Sequence, residues 1–107
     1  MSSARLQHIL QMLKDDPNDS FLNYALAIEH ANAGDVEKAI QLIESLLEKD
    51  SNYLGAYYQL GQYYEQINQL SKALETYKKG AVIAQKQQNR KTLGELNQAI
   101  FQIEDSD

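Results

Sequence analysis

Residues 57–77 read Y-Y-Q-L-G-Q-Y-Y-E-Q-I-N-Q-L-S-K-A-L-E-T-Y. Six of these residues form the pattern Y-x-x-L-G-x-x-Y followed by A-x-x-x-Y, namely Tyr57, Leu60, Gly61, Tyr64, Ala73 and Tyr77. A weaker copy lies 34 positions earlier, at Asn23, Leu26, Ala27, His30, Ala39 and Ile43. This period, with aliphatic and small residues at helical spacing, indicates two copies of a helix–turn–helix unit.

The apolar spacing along the whole chain predicts six helices separated by short breaks. Their expected ranges are 3–14, 20–33, 36–49, 54–67, 70–86 and 90–104. Gly34 and Asn68 are expected to end the second and fourth helices, because both residue types tolerate a positive φ. Asp35 is expected to cap the third helix by accepting a hydrogen bond from one of its first amides.

Small residues predict close packing of the two helices within each unit. Ala27 is expected to face Ala39, and Gly61 to face Ala73, because small side chains let paired helices approach closely. Gly80 is expected to loosen the fifth helix slightly, since glycine is a poor helix former. No single helix pair buries both of its faces, so neighbouring pairs are expected to stack.

The tyrosines are expected to divide between the core and the surface. Tyr57, Tyr64 and Tyr77 stand at pattern positions and are predicted to be core residues. The pattern assigns neither Tyr53 nor Tyr63, for which an outer surface is one interpretation.

The composition of the chain limits its function classes. The 107 residues carry a net charge of −5 and include no cysteine, which excludes disulfides and thiolate chemistry. Nucleic-acid binders usually show a basic patch, and none is visible here. The longest apolar cluster, residues 24–28, is too short to span a bilayer, and the chain does not begin like a signal peptide. We expect a soluble, cytoplasmic protein that binds neither nucleic acid nor membranes.

The sequence contains no motif typical of catalysis or metal binding. His8 and His30 are the only histidines, and they lie on different predicted helices without ligand spacing. Residues 15–19 are rich in Asp and Asn, but Pro17 interrupts them and the glycine and distant glutamate of a calcium loop are absent. We therefore expect no enzymatic activity, no cofactor and no metal site.

The repeated pattern resembles the tetratricopeptide repeat family. The resemblance covers two full units, residues 20–53 and 54–87. It implies one all-α domain over residues 1–107, a right-handed α-solenoid of antiparallel helix pairs. Residues 3–17 fit as an N-terminal half-repeat helix. Residues 88–104 fit as a C-terminal capping helix, because Gly94 and Glu95 stand where Leu and Gly belong.

By the same resemblance, the first helix of each unit lines a concave groove that binds another protein or a peptide segment. The groove residues that we expect to contact this partner are Phe21, Tyr24, Ile28, Tyr58, Gln62 and Glu65. Some family members bind the C-terminal tails of chaperones through a clamp of Lys, Asn and Arg. That carboxylate clamp is absent, because its positions hold Tyr24, Ile28, Gln59 and Tyr58.

Two interpretations of the groove stay open at this point. In the first, Tyr24 and Tyr58 are rigid aromatic anchors for a partner protein. In the second, the chain is a scaffold that forms homo-oligomers through the same face or through an exposed repeat end. Phe21 and Ile28 are apolar and are expected to be partly core under either interpretation.

Overall fold

The computed structural model describes residues 4–105, and these residues form six α-helices and no strand. The helices are α1 (Ala4–Asp15), α2 (Ser20–Asn32), α3 (Val36–Lys49), α4 (Gly55–Gln66), α5 (Leu70–Lys86) and α6 (Arg90–Glu104). Each predicted end lies within one residue of the observed end, apart from the predicted start at residue 3, which is outside the described residues. The apolar spacing therefore located every helix.

The chain divides into two compact units, Met1–Ser51 and Asn52–Asp107. In the first unit α2 packs against both α1 and α3, and in the second unit α5 packs against both α4 and α6. Three-residue connections join α2 to α3, α4 to α5 and α5 to α6, and such short connections make packed helices antiparallel neighbours. The prediction of a single domain over residues 1–107 stays a prediction.

The same turn ends α2, α4 and α5. Gly34, Asn68 and Gln88 have φ angles of 94°, 61° and 57°, in the left-handed region. The third amide after each helix bonds back to a carbonyl five residues earlier, at 2.9 Å in all three turns. This geometry satisfies carbonyls that the helix end would otherwise leave without partners. Gly34 and Asn68 confirm the predicted turns, whereas Gln88 was not foreseen because glutamine rarely adopts this conformation.

Three polar side chains fix the starts of helices. Asp19 accepts a hydrogen bond from the Leu22 amide at 2.8 Å, and this cap begins α2. Asp35 accepts one from the Lys38 amide at 3.1 Å, as predicted for α3. Asn89 does the same at the start of α6. Each cap satisfies an amide that has no partner within its own helix.

The core of the second unit contains the tyrosines at the pattern positions. Tyr57, Tyr64 and Tyr77 are buried, as predicted. Tyr63 is buried as well, with 3% of its surface exposed, so the outer-surface interpretation is wrong for this residue. A Cβ atom built on Gly61 would overlap the ring of Tyr77, and Gly61 therefore makes room for that ring. Contact between Gly61 and Ala73 stays a prediction.

Gly80 allows close packing between three helices. It is buried in α5, and a Cβ at this position would lie 2.6 Å from the Cβ of Tyr57 and 3.2 Å from Cδ1 of Leu96. The glycine lets α4 and α6 approach α5, a benefit that its low helix propensity does not predict. The expectation that Gly80 loosens the fifth helix slightly stays a prediction.

The first unit has a smaller core of aliphatic residues. Ile9, Ala25 and Leu26 are buried together, and Leu6, Leu13 and Leu42 pack against them. Ala27 and Ala39 are both fully buried, as expected of positions where α2 and α3 approach closely. Among residues 4–105, no helix is both long and apolar enough to cross a membrane.

Candidate partner-binding site

The six predicted groove residues are accessible to solvent. Three lie on α2 and three on α4, and residues on each helix are spaced three or four apart, which places them on one face of that helix. Phe21 is exposed, and the other five residues are half-buried. Each side chain therefore offers surface to a partner, and the α2 and α4 residues belong to different units.

In the second unit, the structure brings the three α4 residues together around Tyr77 of α5. The Tyr77 hydroxyl donates a hydrogen bond to Glu65 Oε2 at 2.5 Å. It accepts one from Gln62 Nε2 at 2.7 Å. The Tyr58 ring lies beside the Tyr77 ring, with centroids 5.9 Å apart and planes tilted by 41°. One buried phenol thus orients an amide, a carboxylate and an aromatic ring on the accessible face of α4.

Tyr77 stands at a core position of the pattern, and its hydroxyl has a second role that the pattern does not indicate. Its ring is fully buried, which agrees with the pattern, but its hydroxyl reaches the edge of the predicted groove. The sequence does contain a sign of this role, because a tyrosine stands at a buried position and two polar residues, Gln62 and Glu65, stand on the paired helix. A buried tyrosine hydroxyl requires a hydrogen-bonding partner, and these residues supply it.

Tyr77 stays neutral over the physiological range. Burial, and then the hydrogen bond to the Glu65 carboxylate, raise the pKa of the Tyr77 hydroxyl well above its ordinary value of 10. Loss of the proton would create a buried phenolate beside a carboxylate, which is unfavourable. The hydroxyl therefore remains a donor to Glu65 at neutral pH.

A pH-dependent loss of stability is expected from this shift. The unfolded chain releases the Tyr77 proton near pH 10, whereas the folded chain releases it only at higher pH. The contribution of this residue to stability is therefore complete below pH 10 and declines above it. The decline should approach about 1.4 kcal/mol per pH unit. Urea unfolding of wild type and Tyr77→Phe between pH 8 and 11.5 measures it. The difference between the two proteins isolates Tyr77 from the other tyrosines and lysines.

At neutral pH, we expect Tyr77→Phe to lose about 1 kcal/mol of unfolding free energy with the two hydrogen bonds. The advantage of wild type over Tyr77→Phe should then shrink above pH 10. If the difference in unfolding free energy between the two proteins is constant across the whole pH range, the folded protein does not hold the Tyr77 proton more tightly than the unfolded chain does.

In the first unit, the α2 residues form a more apolar surface. Tyr24 and Ile28 are half-buried, so Ile28 is partly core as expected. Phe21 is 63% exposed, so the expectation that it is partly core is wrong. Its ring instead lines a cleft between α2 and α1, where Met12 is also exposed. Among the described residues, no group of three or more His, Asp or Glu side chains is arranged to hold a metal ion.

Paired helices that recur at a fixed period, with an accessible face on the first helix of each pair, define a helical repeat protein. The sequence profile of the tetratricopeptide repeat matches residues 30–96, which is more than half of the chain. The chain therefore belongs to the tetratricopeptide repeat family.

Similar proteins support this assignment. The solution structure of a tetratricopeptide repeat domain protein from Salinibacter ruber is 38% identical, with a TM-score of 0.82, over 86% of this chain and 93% of that one. A crystal structure of a tetratricopeptide repeat domain protein from Salinibacter ruber is 37% identical, with a TM-score of 0.78, over 83% of this chain and 99% of that one. The predicted all-α solenoid class is confirmed.

A TPR repeat-containing protein of Methanocaldococcus jannaschii is 35% identical over 81 residues, which are 76% of this chain. The chain spans only 25% of the length of this curated relative. A protein from Bordetella parapertussis is only 19% identical but has a TM-score of 0.84 over the full chain, which supports the fold alone.

Proposed function

We propose that the chain is a protein- or peptide-binding module that uses the accessible faces of α2 and α4. The proposed contact residues are Phe21, Tyr24, Ile28, Tyr58, Gln62 and Glu65. Tetratricopeptide repeats are in general protein-interaction modules, which supports the broad assignment. The observation that carries the proposal for this chain is the hydrogen-bonded group of Gln62, Glu65 and Tyr77 beside the Tyr58 ring.

This group is suited to binding because its side chains are already ordered. Gln62 and Glu65 are held by Tyr77, so they lose less conformational entropy when a partner binds. Tyr58 is a large amphipathic side chain, the type that often anchors protein interfaces. A partner segment that donates hydrogen bonds to Gln62 and Glu65 and stacks a side chain on Tyr58 would use all three groups.

The charge of the module favours a neutral or basic partner segment. The chain has a net charge of −5, and Glu65 adds a carboxylate on the proposed surface. Opposite charge on the partner would mainly increase the association rate. On α2, Phe21, Tyr24 and Ile28 would add aromatic and aliphatic contacts. The binding mode differs from the carboxylate clamp, which requires basic side chains at these positions.

The double variant Tyr24→Ala/Tyr58→Ala tests the proposal. Truncating an anchoring aromatic often costs about 2 kcal/mol or more of binding free energy, which corresponds to about a thirtyfold loss of affinity. The variant should therefore lose the proteins that wild type captures from a lysate of its source organism, as identified by mass spectrometry. Circular dichroism should show that its helix content is unchanged.

Phe101→Ala is the matched control, because Phe101 is an exposed aromatic residue on α6, outside the proposed surface. This control should capture the same proteins as wild type. The proposal is wrong if the double variant keeps every partner. A tight dimer of wild type that the double variant cannot form would favour the scaffold function instead.

A further inference from the structure

Glu65 has no cation beside it in the part of the chain that the structure describes. Its Oε2 accepts the hydrogen bond from the Tyr77 hydroxyl, and no residue between 4 and 105 forms an ion pair with it. The Glu65 side chain is half-buried on α4, so water reaches only part of it. A partly buried carboxylate is screened less than a fully exposed one and therefore attracts a cation more strongly.

The first unit shows that the repeat does not need this polar group for packing. The positions 34 residues before Gln62, Glu65 and Tyr77 are aliphatic, namely Ile28, Ala31 and Ile43. Ile43 and Tyr77 are both fully buried, so an aliphatic residue can fill this place in the core without a hydroxyl. The hydroxyl, amide and carboxylate of the second unit are thus an addition to the fold.

Two oxygens of this group can accept further hydrogen bonds. The Tyr77 proton goes to Glu65, so the Gln62 amide presents its NH2 group to the Tyr77 oxygen and keeps Oε1 for another donor. Neither Gln62 nor Glu65 makes a further hydrogen bond to a described residue. Because both side chains bond to the same phenolic oxygen, Gln62 Oε1 and Glu65 Oε1 belong to neighbouring groups whose positions Tyr77 fixes.

The accessible aromatic surface beside these acceptors is the Tyr58 ring. Tyr58 is half-buried, whereas Tyr77 is fully buried, and the centroids of the two rings are 5.9 Å apart. A cation over the face of a tyrosine ring is attracted by the electrons of the ring. One accessible ring does not form the aromatic cage that recognises methylated lysine, so the group suits a different cation.

We propose that the group of Tyr58, Gln62 and Glu65 binds an arginine side chain of the partner segment. This inference rests on the proposed function, because it names the chemistry that the same surface recognises. The guanidinium would stack on Tyr58 and donate hydrogen bonds to Gln62 Oε1 and Glu65 Oε1. Its positive charge complements a carboxylate that no described residue pairs, on a chain with a net charge of −5.

The arrangement favours arginine over lysine. A guanidinium is planar and carries five N–H donors in a fixed fork, so it can stack on a ring and bond to two neighbouring acceptors at once. A lysine ammonium is a compact and strongly hydrated charge, which gains less from a ring and two acceptors together. The presence of an amide oxygen beside the carboxylate therefore selects for the fork of arginine.

A titration with three capped tripeptides tests this inference on the full chain. Each peptide has an alanine on either side of a central arginine, lysine or citrulline, and citrulline has nearly the shape of arginine without its charge. With nitrogen-15-labelled protein, the arginine peptide should produce saturable shifts at the side-chain amide of Gln62 and the backbone amides of Tyr58 and Glu65. The Kd of the citrulline peptide should be at least about tenfold higher, because a charge-assisted pair is lost. The lysine peptide should bind with an intermediate Kd.

A matched pair of variants shows whether the Glu65 carboxylate causes the preference. Glu65→Gln removes the charge but keeps an oxygen that can accept the Tyr77 hydrogen bond, so the variant should fold and bind the arginine and citrulline peptides equally. Glu75→Gln is the control, because it makes the same change of net charge at an exposed position of α5. This control should keep the preference of wild type for arginine.

The inference is overturned if the arginine peptide gives no saturable shifts, if citrulline binds as tightly, or if Glu65→Gln keeps the preference for arginine. Its failure can be told apart from failure of the proposed function. If Tyr24→Ala/Tyr58→Ala loses the captured proteins but wild type does not distinguish arginine from citrulline, the surface binds partners without an arginine, and only this inference fails. If the double variant keeps every captured protein, the proposed function fails, and the inference fails with it.

Discussion

Gly61→Ala is expected to destabilise the protein by about 3 kcal/mol, near the upper end of the range for overpacked cores. The new methyl group would overlap the ring of Tyr77, which is fully buried and cannot move into solvent. Urea unfolding at neutral pH measures the change. Gly94→Ala is the matched control, because Gly94 is also helical but has no atoms near its Cβ direction. This control should gain about 0.5–1 kcal/mol from helix propensity.

A second substitution shows whether the Tyr77 ring causes the loss. Leucine at position 77 lacks the ring atoms that the new methyl group would meet. In a Tyr77→Leu background, Gly61→Ala should therefore cost less than about 1 kcal/mol, and the two substitutions should be non-additive. Equal costs in both backgrounds would show that Gly61 does not face Tyr77 in the folded protein.

Deletion of residues 90–107 should have the largest effect, because it removes α6 from α5. Leu96 of α6 is fully buried and lies against Gly80, and Ala99 of α6 is buried as well. Without them, the apolar face of α5 would be in water, and helical repeats need a polar outer layer to stay soluble. We expect the shortened protein to aggregate or to form oligomers in size-exclusion chromatography with light scattering.

The control for this deletion is a chain that ends at Glu104, the last residue of α6. It should remain as stable and as monodisperse as wild type. If the chain without residues 90–107 behaves like this control, α6 is not a cap, and the burial of Leu96 contributes little to stability.

The fold was predictable because the repeat pattern is local and periodic. Apolar residues at helical spacing predicted the helices. Gly34 and Asn68 predicted two of the turns, because glycine and asparagine tolerate a positive φ. Gln88 adopts the same conformation without such a signal. There, the packing of α5 on α6 imposes the turn on a residue that does not favour it.

The contacts between helices were less predictable. The pattern identified Gly61 as a small position, but it did not show that Tyr77 fills the space opposite. Helix propensity marks Gly80 as a weak position in α5 and gives no sign that Tyr57 and Leu96 approach it. Such contacts depend on the rotation of each helix and on side-chain rotamers, which residue type at a repeat position does not specify.

The candidate site was predictable as a face but not as a hydrogen-bonded group. The repeat register named Tyr58, Gln62 and Glu65, and the structure leaves all three half-buried on α4. The sequence did not reveal that Tyr77, from the paired helix, links Gln62 with Glu65. The exposure of Phe21 was also missed, because an apolar residue on a helix usually packs in the core.

The proposed binding surface for a partner protein is Tyr58 with its neighbours. Its most direct test is isothermal titration calorimetry of a purified captured partner against wild type, Tyr58→Ala and Phe101→Ala. We predict that Tyr58→Ala raises Kd by about thirtyfold and that Phe101→Ala leaves it unchanged. Equal Kd values for wild type and Tyr58→Ala, with both proteins folded, would contradict the claim.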